Sequence, residues 1–184
     1  MVKEELSNFL NSGKYLCDES VTWGDGTLPI QIRYYLSNNQ PPLKYVSSAR
    51  AIVFSDESIL VISDKTGGKY ILPGGRIEKD EIPLETLKRE VLEETGYTLC
   101  EINMLGFMHF HHLGTKPENY KYPYPDFIWP IYYAEVNDFV ADAIQLDDYV
   151  LESHFQPIRE VKNLPIIEGQ LLLLEEAIEQ RKSP

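Results

Sequence analysis

Apolar and polar positions alternate along this chain in two rhythms, one of period two and one of helical period. Residues 3–12, KEELSNFLNS, have helical spacing and read as a short helix stopped at Gly13. The stretch Trp23-Gly24-Asp25-Gly26 reads as a turn, and PIQIRYYLS at 29–37 alternates like a half-buried strand. NNQPPLK is a loop, because adjacent prolines do not fit a strand interior. ARAIVFSD and SILVISDK are β-branched apolar runs flanking a polar break, which predicts a hairpin. Thr66-Gly67-Gly68 is a turn, and KYILP at 69–73 is a short strand leading into Gly74-Gly75. A helix starts at Pro83, where a missing N–H costs nothing, and stops at Gly96.

Beyond Gly96 the period-two rhythm returns. Residues 98–114 read as one or two strands, 114–126 as a Tyr- and Pro-rich loop, and 127–138 as a strand broken or edged at Pro130. Residues 149–161 are strand-like, and 169–183 form a final amphipathic helix carrying Leu171, Leu174, Ala177 and Ile178 on one side. Strands, a central helix, more strands and a closing helix define a mixed α/β domain with helices packed on sheet faces.

Charge narrows the function. A net charge of -12 repels phosphate backbones, so nucleic acid is not expected as a partner. No apolar run has the length of a membrane span, and the N-terminus has no signal-peptide core. Cys17 and Cys100 are too few for a disulfide framework or a paired-cysteine zinc site, which fits free thiols in a reducing cytoplasm.

The central helix carries the chemistry. Leu84, Leu87 and Val91 form its apolar stripe, while Glu90, Glu93 and Glu94 share a neighbouring face. Like charges so close repel, and Glu94 sits near the apolar edge, where a bare carboxylate is costly. A divalent cation removes both problems, and all-oxygen ligands favour Mg²⁺ or Mn²⁺. Arg89 lies beside the cluster, with Glu85 four residues before it as an expected ion-pair partner. The Gly74-Gly75 turn lets backbone approach closely, to donate N–H groups to phosphate or present a carbonyl to a metal.

Gly75, Glu81, Arg89, Glu90, Val91, Glu93, Glu94, Gly96 and Tyr97 stand at the spacing G-x5-E-x7-R-E-V-x-E-E-x-G-Y. This resembles the Nudix box of the Nudix hydrolases, with Tyr97 in place of a final aliphatic residue. The resemblance implies the Nudix fold, an α/β/α sandwich with a mixed β-sheet. It would make residues 47–184 the Nudix domain and residues 1–46 an N-terminal extension of a short helix and a strand packed on it. It implies that Glu90, Glu93 and Glu94 hold Mg²⁺ or Mn²⁺ with the Gly74 carbonyl. Arg89 would orient the glutamates, and Glu81 would support the loop-to-helix geometry. The implied reaction is hydrolysis of a nucleoside diphosphate linked to another group X. The base that takes the proton of water varies in the family; Glu118, Asp126, Glu135 and Glu152 are candidates beside the box glutamates.

Other candidates are less specific. Gly75, Arg50, Tyr122, Tyr124 and Asp126 are expected near the substrate, the tyrosines as a lid that stacks a base or as an ordered loop on its own domain. His109 and His111 share a strand face with His112 opposite, and partly buried strand histidines are preferred over a zinc site. The final helix reads as core packing or the face of a homodimer. The extra signatures by which the resemblance would assign X are not met. The rival reading is a Nudix-fold ligand-binding or regulatory domain without turnover, against which stand the intact ligands of the box; a third is isomerase chemistry on a diphosphate.

Overall fold

Strict alternation in LPIQIRYYL places Ile30, Ile32 and Tyr34 on one face of a strand and leaves Gln31 and Arg33 on the other. That strand lies in a nine-stranded mixed sheet. The computed structural model describes residues 2–24, 26–118, 120, 122–145 and 150–182. Asp25 of the expected turn, Asn119 and Lys121 of the expected loop, Tyr149 of the strand-like stretch and Ser183 of the final helix lie outside the described residues.

Helix α1 (Val2–Asn11) leads into β1 (Lys14–Trp23) and β2 (Leu28–Leu36). β3 (Ser48–Ser55) and β4 (Ser58–Asp64) form the expected hairpin, closing with Ser55 opposite Ser58. β5 (Lys69–Tyr70) precedes β6 (Gly74–Arg76), which carries the glycine pair, and α2 (Pro83–Thr95) follows. β7 (Tyr97–His112), β8 (Asp126–Phe139) and β9 (Val150–Pro157) complete the sheet before α3 (Ile158–Val161) and α4 (Glu168–Lys182). The strand order is β1-β2-β7-β8-β3-β4-β5, with β6 on the start of β3 and β9 on β4. β3 and β8 run parallel, and the other ladders are antiparallel.

Three helices cover two faces. On one, Leu173, Leu174 and Ala177 of α4 pack on Tyr34, Phe54, Ile59, Phe110 and Ile131. On the other, Leu87 and Val91 of α2 pack on Ala49, Ala51 and Val53, whose small side chains let the helix approach. Burying those two α2 side chains contributes roughly 2 kcal/mol each. Leu6 of α1 joins Tyr35, Tyr45, Phe107 and Ile128 beside them. The final helix therefore spends its apolar side on this chain's own core. Among the described residues no helix is long and apolar enough to cross a membrane.

Several elements differ from the expectation. β1 was not foreseen: the polar run Asp18-Glu19-Ser20 interrupts KYLCDESVTW, yet it pairs with β2 from Lys14 opposite Leu36 to Trp23 opposite Leu28. Pro130 does not break β8, because it opposes Phe107 and precedes the parallel ladder that opens at Arg50 opposite Ile131. Residues 98–114, read as one or two strands, give the single strand β7, which agrees with the expectation. The strand-like run ends at Pro157, and Ile158–Val161 turns helical instead. On α2, Leu84 is only half-buried, and Pro83, Thr86 and Thr95 complete the buried stripe with Leu87 and Val91. The first 36 residues contribute two strands to the same sheet as residues 48–157.

Candidate active site

The site begins where β6 crosses the start of β3, with Arg50 opposite Gly74 and Ser48 opposite Arg76. Gly74 has φ of 126°, and a Cβ there would lie 2.3 Å from the Ala49 carbonyl oxygen. A Cβ on Gly75 would lie 2.2 Å from Oε2 of Glu90. Bare backbone at 75 is therefore what lets the Glu90 carboxylate lie against β6. The Gly74 N–H donates to Oε2 of Glu94 at 3.0 Å. Two of the clustered glutamates thus meet the glycine turn, and a cleft of about 530 Å³ is lined by Gly74, Gly75, Glu90 and Glu94. Ser48, Arg50, Arg76, Trp23 and Trp129 form its remaining walls.

Arg89 ties the helix to the loop before it. Its Nε and Nη2 donate to the two oxygens of Glu81 at 2.7 and 3.0 Å, a two-pronged charge-assisted pair. Its Nη1 donates to Glu90 at 2.9 Å and to Glu93 at 3.1 Å. Nη2 also reaches the Arg76 carbonyl at 3.2 Å. Glu81 accepts further from the Thr86 hydroxyl at 2.7 Å and from the Glu78 N–H at 3.0 Å. The Arg89 hydrogen bonds are the main reason the Glu81 carboxyl is pulled down to about 2, with burial opposing them. The same contacts push Arg89 upward. The expected Glu85–Arg89 pair is not made. Glu85 instead accepts from the Ile82 N–H at 3.3 Å at the start of α2, and the Arg89 fork is taken by Glu81.

Glu93 stands apart from its two neighbours. It is held between Arg89 and Gln145, whose Nε2 donates to Oε1 at 3.2 Å, and it does not line the cleft. Among the described residues no three acidic, histidine or cysteine side chains converge into a ready-made cation cage. The donor chemistry still fits a hard cation. Glu90 and Glu94 face one cleft, and burial, only partly offset by Arg89, pushes the Glu90 carboxyl up. A partly buried carboxylate short of positive charge is what a divalent ion with oxygen ligands relieves.

The other expected residues separate. Arg50 faces the cleft: its Nη1 donates to the Leu72 carbonyl at 2.9 Å, and its guanidinium lies 4.6 Å from the Trp129 ring centre. Its Nε is buried without a hydrogen-bond partner among the described residues. Tyr122 stands under the Arg76 guanidinium at 4.9 Å and, with Tyr120 and Ser47, lines a side recess of about 200 Å³. Tyr124 does not line it; its hydroxyl donates to the Gly114 carbonyl and its ring stacks on His112.

Asp126 is taken by His109 and His111, each 2.8 Å from its Oδ1. Burial pushes the Asp126 carboxyl up, but the two histidine contacts prevail and hold it below the usual range. The histidines are thus accounted for by that aspartate, and burial pushes His112 down on the opposite face. Glu135 is clamped by Arg181 at 2.5 and 3.1 Å, and Glu118 and Glu152 are exposed. None of the four outside candidates for the base lines the cleft.

Arg76, Trp23 and Ser48 were not foreseen as site residues, and Trp129, expected only as one ring of the aromatic loop, lies on β8 and lines the cleft. Arg76 had a signal, since it directly follows the glycine pair inside the box. Trp23 had none, because its place depends on the pairing of β1.

A family model for the NUDIX domain matches residues 44–176. A MutT-like protein of Streptomyces ambofaciens is 44% identical over 66 residues, 34% of this chain and 43% of its own length. A protein of Lactococcus lactis subsp. cremoris named as a DHNTP pyrophosphohydrolase is 31% identical over 116 residues, 60% of this chain and 66% of its own. In both cases the chain spans less than two thirds of the relative. The structure of the Bacillus subtilis pyrophosphohydrolase BsRppH superimposes with a TM-score of 0.61 at 18% identity, covering 90% of this chain and 99% of that one, and shares its fold. The chain belongs to the Nudix family.

Proposed function

We propose that this chain is a Mg²⁺- or Mn²⁺-dependent hydrolase that cleaves the diphosphate linkage of a nucleoside diphosphate joined to another group X. One observation carries the reading: Glu90 and Glu94 share a single cleft with Arg50 and Arg76. Carboxylates offer sites for a cation, and guanidiniums offer sites for phosphate oxygens. The relatives named as MutT-like and as a DHNTP pyrophosphohydrolase support the reaction class.

In this reading Glu90 and Glu94 hold the cation with the Gly74 backbone, and Glu93 supports them through Arg89 and Gln145. The ion would neutralise phosphate charge and sharpen water as a nucleophile. Arg50 and Arg76, lining the same cleft, orient the diphosphate, so less freedom is lost at the moment of attack. The proton of the attacking water passes to a carboxylate of the cleft itself, Glu90 or Glu94, since Glu135 and Asp126 are engaged by Arg181 and the histidine pair. Arg89 and Glu81 keep α2 in place and touch no substrate.

The test is a hydrolysis screen with either metal against nucleoside triphosphates, ADP-ribose, NADH, nucleotide sugars and dinucleoside polyphosphates. Glu94→Gln should lower kcat by about a thousandfold or more with the fold intact, the scale of a lost charged group at the reacting centre. Near-normal rates in that variant would remove Glu94 from the metal site. Silence across the panel, with metal still bound, would favour the ligand-binding alternative.

A further inference from the structure

A second recess opens from the cleft toward the N-terminus of α4. It measures about 270 Å³ and shares Trp23, Arg50 and Trp129 with the cleft wall. Val21, Met108 and Phe110 make it apolar and aromatic. One acid lies in that wall: Glu19, from β1. The Tyr34 hydroxyl donates to its Oε1, and among the described residues nothing donates to its Oε2. Glu19 is half-buried, so its carboxylate remains available as a charged acceptor, in a largely apolar wall, for a ligand in the recess.

We propose that this recess holds the flat heterocycle of the substrate and that Glu19 selects one presenting a ring N–H beside an exocyclic amino group. Guanine and pterins have that edge. Two adjacent donors match the acceptor-only face of a carboxylate. Adenine and cytosine place a ring-nitrogen lone pair next to their amino group, and uracil flanks its one N–H with carbonyls. Each would set a lone pair against the Glu19 charge. The rings of Trp23 and Trp129, 6.0 Å apart at 24°, supply stacking that does not depend on the base. The N-terminal strand is then part of the specificity pocket. The inference rests on the proposed hydrolase reading and names the substrate class of that same site.

The chain has only two tryptophans, and both line the recess and the adjoining cleft, so intrinsic fluorescence reports binding in the groove without turnover, and the Glu19 variants distinguish the recess from the cleft. GDP, ADP, CDP, UDP and neopterin are titrated against the Glu94→Gln protein, alone and with Glu19→Gln or Glu19→Asp added. GDP or neopterin should bind about tenfold or more tighter than ADP, CDP and UDP, the scale of hydrogen bonds to a charged group. Glu19→Gln keeps an oxygen for the Tyr34 hydroxyl but brings an amide donor, and should erase the preference while ADP changes by less than about threefold. Glu19→Asp retracts the charge and should weaken the preference in between. A stronger GDP arm assigns guanine, and a stronger neopterin arm assigns the pterin. Equal affinities, no quenching by any ligand, or a preference that survives Glu19→Gln overturns the proposal. Failure to hydrolyse anything, with the binding preference intact, would sink the hydrolase reading alone.

Discussion

The two ends of this groove are held by different forces. At the α2 end, Arg89 makes five hydrogen bonds, to Glu81, Glu90, Glu93 and the Arg76 carbonyl, and Gly74 makes another to Glu94. At the recess end, Phe110 stacks on Phe127 at 4.5 Å and leans on Trp129 at 4.4 Å, and Trp23 lies over both Phe110 and Trp129. Charge-assisted hydrogen bonds fix direction as well as distance, whereas ring contacts tolerate sliding. The end proposed to do chemistry is fixed in angle, and the end proposed to read the substrate is fixed mainly in shape. Small geometric errors should therefore cost most at the first end and least at the second.

The sharpest break of that contrast is Gly75→Ala. Its Cβ would fall 2.2 to 2.6 Å from the Glu90 carboxylate atoms, so the carboxylate must move. A displacement of about 1 Å at reacting groups costs on the order of a hundredfold in rate. We expect kcat to fall by about that factor while fluorescence titration of the recess is unchanged. A loss of recess binding as large as the loss of rate would show that the two ends are not independent.

The same contrast explains what the sequence made legible. The α2 end comes from residues 74–94, one short stretch at fixed helical spacing, so its members could be named before their positions were known. The recess draws Glu19 and Trp23 from β1, Arg50 from β3 and Trp129 from β8. No spacing links those positions; only the pairing of β1 on β2, β2 on β7, β7 on β8 and β8 on β3 brings them together. β1 itself was hidden because the polar run Asp18-Glu19-Ser20 interrupts its apolar side chains and its alternation is shifted by a bulge between Tyr15 and Cys17. Even within the box, spacing placed Glu93 with Glu90 and Glu94, whereas tertiary contacts with Gln145 turn it aside.

A middle-sized effect is expected at Glu81, which braces the α2 end without touching the cleft. Its folded carboxyl is depressed to about 2 from an ordinary 4.5, so its stabilisation is full above about pH 4.5 and fades as pH falls through 2. Glu81→Gln should cost on the order of 2 kcal/mol in urea unfolding at pH 7, the scale of hydrogen bonds to a charged group. The gap between wild type and variant should narrow steadily between pH 4.5 and 2. A gap that stays constant with pH would mean that Glu81 acts by packing rather than by charge.

The smallest effects separate two tyrosines of one loop. Tyr122 borders the side recess beneath Arg76, and Tyr124 ties the loop back to Gly114 and His112. Losing the Tyr122 ring removes one cation–π contact from a wall that has other rings, so Tyr122→Ala should raise KM by about two- to fivefold and leave kcat alone. Tyr124→Ala should leave KM unchanged and lower Tm by a few degrees, because its contacts tie the loop to Gly114 and to His112 at the end of β7 rather than facing the side recess. A reversed pattern, with KM moving only in the Tyr124 variant, would mean that the loop repositions on binding. The tolerance assigned to the recess end would then belong to the loop rather than to its rings.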